Sequence, residues 1–240
     1  MMYFNIAKFM KNNILNSGLC LALGMAASFS LSSCEDWTEV ESLDIHTPSL
    51  EEQNPQLYED YLKDLNAFKA SDHHVLFVSF SNVANPVKQG ERLTALPDSV
   101  DYISLNNPSE IGAGLLEEMN EVRRKGTKIG YTFSYAQFEA EWDLMLEANP
   151  ELTETERQEY FTKRTEEMLS LVDKYNYDGV IVDYVGRSLV SLKDEPLRTY
   201  IARQKGFFDI ISTWKSRHTD KFLVFYGNAQ YIAPDNMGFL

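Results

Sequence analysis

The chain has 240 residues, 44% of them hydrophobic and 24% charged. That fits one globular domain with short additions, and it excludes both a wholly disordered chain and a polytopic membrane protein. The 36 acidic residues outnumber the 22 basic ones and give a net charge of -14, a surface that repels phosphate backbones, so nucleic acid is not an expected partner.

Residues 1–33 hold Lys8 and Lys11 and no acid, and they run into a stretch rich in Leu, Ala, Gly and Met from about Leu19 to Phe29. The stretch is too short and too weakly apolar for a good membrane span, but it suits a signal peptide. It ends in Leu31-Ser32-Ser33-Cys34, which resembles a bacterial lipobox. That resemblance implies that Cys34 is acylated and becomes the mature N-terminus. Removal of residues 1–33 also removes Cys20, so no internal disulfide is expected. Glu35-Asp36 resemble the export signal that sends Bacteroidetes lipoproteins to the outer face of the outer membrane. The expectation is a cell-surface lipoprotein held by an N-terminal lipid anchor, with residues 34–49 as a tether and residues 50–240 as the folded domain.

From Leu50 to Ala70 the pattern is helical, with Leu50, Leu57, Tyr61, Leu65 and Phe68 on one stripe. His74 to Phe80 is an apolar, β-branched run that reads as a buried strand. Residues 81–99 are a polar loop, Asp101 to Leu105 a second strand, Ile111 to Lys125 a helix closed by Gly126, and Lys128 to Phe133 a third strand. Residues 134 to about 151 form an excursion, amphipathic around Trp142, Met145 and Leu146. Thr153-x-x-Glu156 is a capping box that opens a helix carrying Phe161, Met168, Val172 and Tyr175 on one face. Gly179 to Tyr184 is a fourth strand; Asp194 as N-cap and Pro196 in the first turn open a further helix, and Phe222 to Tyr226 is a fifth strand. Apolar strands that alternate with helices indicate an α/β fold with a parallel sheet. No Gly-rich turn follows any strand, which disfavours a nucleotide-binding sheet.

The stretch Tyr177-Asp178-Gly179-Val180-Ile181-Val182-Asp183-Tyr184-Val185 resembles the fourth-strand signature of glycoside hydrolase family 18, the chitinases and endo-β-N-acetylglucosaminidases, whose pattern is D-G-x-D-x-D-x-E. Asp178 and Gly179 match its opening and Asp183 its third acid. Ile181 stands at the second acid and Val185 at the catalytic glutamate. Tyr61-Leu62-x-x-Leu65, Phe68-Lys69, His74, Leu96-Pro97-Asp98-Ser99-Val100-Asp101 and Lys125-Gly126-Thr127-Lys128, with Asp36-Trp37-Thr38 after Cys34, look like a Bacteroidetes lipoprotein branch of that family. The resemblance implies a (β/α)8 TIM-barrel type of fold, incomplete at the C-terminus, with about five of the eight strands present.

The resemblance also implies a chemistry in which the sugar's own N-acetyl oxygen attacks the anomeric carbon and a Glu protonates the leaving oxygen. Asp183 then holds the acetamide-orienting position, and its acid partner is missing at Val185. Aromatics and amides at strand ends suit sugar contacts: Asn82, Tyr131, Phe133, Tyr184, Tyr226, Asn228 and Gln230 are the candidates, although strand residues alternate between faces and about half belong in the core. Asp178-Gly179 reads as a turn into the strand. No metal site or cofactor is expected, since His73-His74 lack partners at ligand spacing. The leading expectation is a surface lipoprotein that binds N-acetylglucosamine-containing glycans, alongside other glycan-uptake surface proteins, with little or no hydrolysis. The alternatives are an active endo-β-N-acetylglucosaminidase with its acid from another loop, and a non-functional fragment.

Overall fold

The computed structural model describes residues 48–239, which fall into two units divided after Gln53. In the first unit, Leu50–Gln53 is a single helical turn in which the Ser49 and Glu52 amides each donate to the other's side chain. The signal segment, Cys34 and the tether up to residue 47 lie outside the described residues.

The second unit runs α1 (Pro55–Ala70), β1 (Phe77–Phe80), β2 (Tyr102–Leu105), α2 (Ala113–Arg124), β3 (Lys128–Ser134), α3 (Tyr135–Ala148), α4 (Glu154–Tyr175), β4 (Gly179–Tyr184), α5 (Asp194–Arg217) and β5 (Phe222–Gly227), with short 3-10 turns between. The strands pair in sequence order, β1-β2-β3-β4-β5, and every neighbour is parallel. Such a sheet, with helices returning the chain on one side, is part of a TIM-barrel-like α/β fold. Strand period decides what each face carries. Ile103, Leu105, Ile129, Tyr131, Phe133, Val180, Val182 and Tyr184 turn toward the helices and pack with Leu115, Met119, Phe138, Phe161, Val172 and Phe207 in the core. The alternate residues face the concave side.

Local chemistry places the elements. Asn54 caps α1, accepting from the Leu57 amide, with Pro55 at the first helical position. The capping box of Thr153 and Glu156 opens α4, and Asn176 closes it in the left-handed region. Asp178 then ties the next strand into the sheet. Its Oδ2 accepts from the Ile129 amide at 2.8 Å and from Arg123 Nε at 2.9 Å, while its own amide donates to the Ile129 carbonyl. Gly130 and Gly179 are register partners, and the Phe222 ring lies across them: a Cβ on Gly179 would sit 2.2 Å from the Phe222 carbonyl oxygen.

Four expectations change. The first strand starts at Phe77, and His74 to Leu76 lead into it. The excursion after the third strand is itself a helix, α3, because Tyr135, Phe138 and Trp142 recur at helical spacing and are all buried. Lys193 is the N-cap of α5, while Asp194 is its first residue, with φ 52°. The apolar stripe of α1 is not a core stripe, since no residue of that helix is buried.

Candidate functional site

The concave side of β4 carries the informative residues. Ile181 is buried there, Asp183 is half-buried and Val185, just past the strand end, is 48% exposed. Asp183 pairs in register with Ser134 on one side and Tyr226 on the other. Its Oδ1 is out of solvent and has no hydrogen-bond partner. A buried acceptor without a protein donor is costly, and either an ordered water or a donor on something bound can satisfy it. Tyr226 is 67% exposed beside it. Asn228 follows β5, and its Nδ2 donates to the Val185 carbonyl at 3.0 Å, which ties the β4 and β5 ends together. Gly227, at φ 152°, permits that approach, because a Cβ there would lie 1.9 Å from the Tyr184 carbonyl oxygen. Asp183, Val185, Tyr226 and Asn228 therefore converge at the C-terminal ends of β4 and β5, the end of the strands at which barrel sites form. Gln230 lies exposed in the turn Ala229–Tyr231 that follows.

The other candidates are elsewhere, which corrects the expectation for each. Tyr131 and Phe133 have the helix-facing parity. Tyr131 is fully buried, donates its hydroxyl to the Met168 carbonyl and meets Tyr177 edge-on at 4.8 Å, and burial pushes its pKa far up. Phe133 packs between Phe138 and Phe207. Tyr184 is also fully buried. Its hydroxyl donates to the Tyr200 hydroxyl at 3.0 Å and accepts from Gln204 Nε2 at 2.9 Å, and burial raises its pKa strongly. Asn82 is buried and tied down: its Oδ1 accepts from the Asn107 amide, and its Nδ2 donates to the Asn107 and Glu110 carbonyls. It locks two loops together, and its burial keeps it from a ligand.

The concave face also carries residues that the sequence reading passed over. Ser79 Oγ donates to Asn106 Oδ1 at 2.7 Å, and Asn106 Nδ2 donates to Ser81 Oγ at 3.0 Å. Ser104 and Thr132 share a hydroxyl bond at 3.0 Å, and Ser134 continues that face up to Asp183. A polar lane thus runs across β1 to β3 toward Asp183. Its signal was in the sequence as the alternation Val78-Ser79-Phe80-Ser81, Ile103-Ser104-Leu105-Asn106 and Tyr131-Thr132-Phe133-Ser134. Among the described residues no group of three or more His, Cys, Asp or Glu is placed to hold a metal ion, and no helix is long and apolar enough to cross a membrane.

A lane of hydroxyls and amides, one carboxylate with a free oxygen and one open aromatic ring can hold a polyhydroxylated ligand that carries an N–H donor. Residues 38–239 match the family described as glycoside hydrolase family 18, BT1044-like. A selenomethionine BT1044 variant is similar in structure, with a TM-score of 0.55 and 16% identity over 80% of this chain and 63% of that one. That likeness shows a shared fold, and this chain spans less than two thirds of the BT1044 chain. An endo-beta-N-acetylglucosaminidase from Cordyceps militaris in apo form matches with a TM-score of 0.45 and 19% identity over 70% of this chain and 54% of that one. A mutant of that enzyme in complex with fucosyl-N-acetylglucosamine-Asn matches with a TM-score of 0.47 and 18% identity over 73% and 57%. No curated protein matches the chain.

Proposed function

The chain belongs to glycoside hydrolase family 18, in its BT1044-like group, and from that premise we propose that its concave face binds glycans containing N-acetylglucosamine and hydrolyses them little or not at all. The observation that carries the reading is the end of β4, where Asp183 keeps an unpartnered carboxylate oxygen and Val185 stands in the open position next along that face. In the family's chemistry the substrate acetamide is the nucleophile and a protein carboxyl is the acid. The half-buried Asp183 carboxylate suits the first task, since it can accept the acetamide N–H. Valine holds no proton, so the second task has no donor at that position. A positioned general acid contributes about 10²–10⁴-fold, and its loss leaves recognition with little turnover. Tyr226 offers a face for the apolar side of a sugar ring. The Ser79–Asn106–Ser81 chain and the Ser104–Thr132 pair offer hydroxyl partners further along the lane.

The same reading places the protein as a lipoprotein on the outer face of the outer membrane, anchored through Cys34, where it would present glycans to neighbouring uptake proteins. Incorporation of labelled palmitate that is lost in Cys34→Ala supports the anchor, and equal labelling of both rejects it. For the main proposal, the full chain is incubated with a high-mannose glycoprotein. Retention of the glycoprotein on immobilised protein without glycan release is the expected result. Stoichiometric release over repeated turnovers would show an active endoglycosidase instead, and neither retention nor release would remove the glycan from the account.

A further inference from the structure

We propose that His73, held between the Ser71 carbonyl and the Asp101 carboxylate, is a pH-sensitive clasp that fastens α1 to the N-terminal floor of the sheet as an imidazolium and loosens it on deprotonation. Only the charged form satisfies the geometry in full. Nδ1 lies 2.8 Å from the Ser71 carbonyl oxygen and Nε2 lies 3.0 Å from Asp101 Oδ1. A carbonyl and a carboxylate can only accept, so both contacts are hydrogen bonds only when both ring nitrogens donate, and only the imidazolium has two N–H groups. The Phe68 ring of α1, 4.7 Å from the imidazole, adds a further preference for the cation.

Asp101 is a fixed counter-charge. Its Oδ2 accepts from the Leu76 amide at 2.7 Å. Burial works against its charge, yet the Leu76 bond and the His73 contact hold its pKa below the usual range. The His73 pKa is raised, by the Ser71 carbonyl first, then by the Asp101 hydrogen bond and the charges of Asp101 and Asp72, with burial opposing. Other charges here come from Lys69 on α1, Asp72 on the connector, Asp98 before β2, Lys125 after α2 and Lys128 on β3.

The clasp matters because α1 docks by polar contacts. Tyr61 donates to Asp98 at 2.7 Å, Asn66 donates to the Arg124 carbonyl at 3.0 Å, and Lys69 donates to the Val100 carbonyl and to Thr127 Oγ1. No residue of α1 is buried. Since the folded pKa lies above the free value, the clasp is fully closed below about pH 6.5 and opens as pH rises through the folded value. Each unit of that difference is about a tenfold tighter closure.

The test follows the His73 ring by NMR in the full chain and measures protection of α1 amides relative to α4, corrected for intrinsic exchange. The expected result is a ring that titrates above pH 6.5, a fall in α1 protection over the same range, and no such fall in His73→Gln. The proposal is overturned if the ring titrates at or below 6.5, if α1 protection is flat, or if His73→Gln shows the same fall.

Discussion

Replacing Asp178 separates a structural from a ligand-contacting role for the first acid of the family motif. In the structure its carboxylate accepts from the Ile129 amide and from Arg123 at 2.9 and 3.2 Å, and it faces away from the cleft elements. Asp178→Ala leaves the Ile129 amide without that acceptor, which costs about 1–3 kcal/mol. It also breaks an ion pair whose partners are 20% and 26% exposed, worth up to about 1 kcal/mol at such a surface. The expected loss is therefore about 1–4 kcal/mol, or a midpoint lower by about 2–16 °C for a domain of this size. Asp178→Asn keeps an acceptor for Ile129 and gives up the charge, so it is expected to lose about 1 kcal/mol. Urea unfolding measures both, and an unchanged m-value shows that the effect is on stability. If Asp178→Ala unfolds within about 0.5 kcal/mol of wild type while glycan affinity collapses, the anchoring role is refuted and Asp178 belongs to the ligand site.

Gly179→Ala forces a Cβ into the Phe222 carbonyl at 2.2 Å and its ring at 2.4 Å, and it should destabilise by about 1–3 kcal/mol in the same assay. Tyr184→Phe removes the bonds to Tyr200 and Gln204, but Gln204 Nε2 keeps the Tyr231 carbonyl at 3.1 Å; the loss should be about 0.5–1.5 kcal/mol, with glycan affinity untouched because this ring faces the helices. Glu154 is held below the usual carboxylate range by its hydrogen bonds from Arg203. A depressed folded pKa gives stability that is present above the unfolded value and lost as pH falls through the folded one. The melting midpoint should therefore drop below about pH 4.3, and the drop should be smaller in Glu154→Gln.

The order of strands and helices was legible because the apolar runs at 102–105, 128–133, 179–184 and 222–226 each carry a core-facing set, and the Thr153–Glu156 box marks its helix start. The first turns of α3 were not, because Trp142, Met145 and Leu146 drew the stripe about two turns too late, past Tyr135 and Phe138. The α1 stripe shows a limit of periodicity: spacing says that a face is apolar, not what packs on it, and Leu57 and Phe68 are open. The site was half legible. Asp183 and Tyr184 are adjacent on one strand, so they cannot share a face; the cleft position of the first already assigns the second to the core. The same parity separates Tyr131 and Phe133 from Thr132 and Ser134. Asn82 was opaque, since nothing in its neighbours marks the loop 25 residues away that binds it.

The central claim rests on Asp183 as the ligand-facing carboxylate of a site without its acid. Calorimetric titration of chitobiose into the full chain and into Asp183→Ala and Asp183→Asn tests it most directly, with thermal melts confirming that all three fold. The account predicts saturable binding by the wild type, a loss of at least about tenfold in affinity for Asp183→Ala, equivalent to about 1.4 kcal/mol, and intact chitobiose at the end. Equal affinity in all three proteins, or cleaved chitobiose in the wild-type cell, would contradict it.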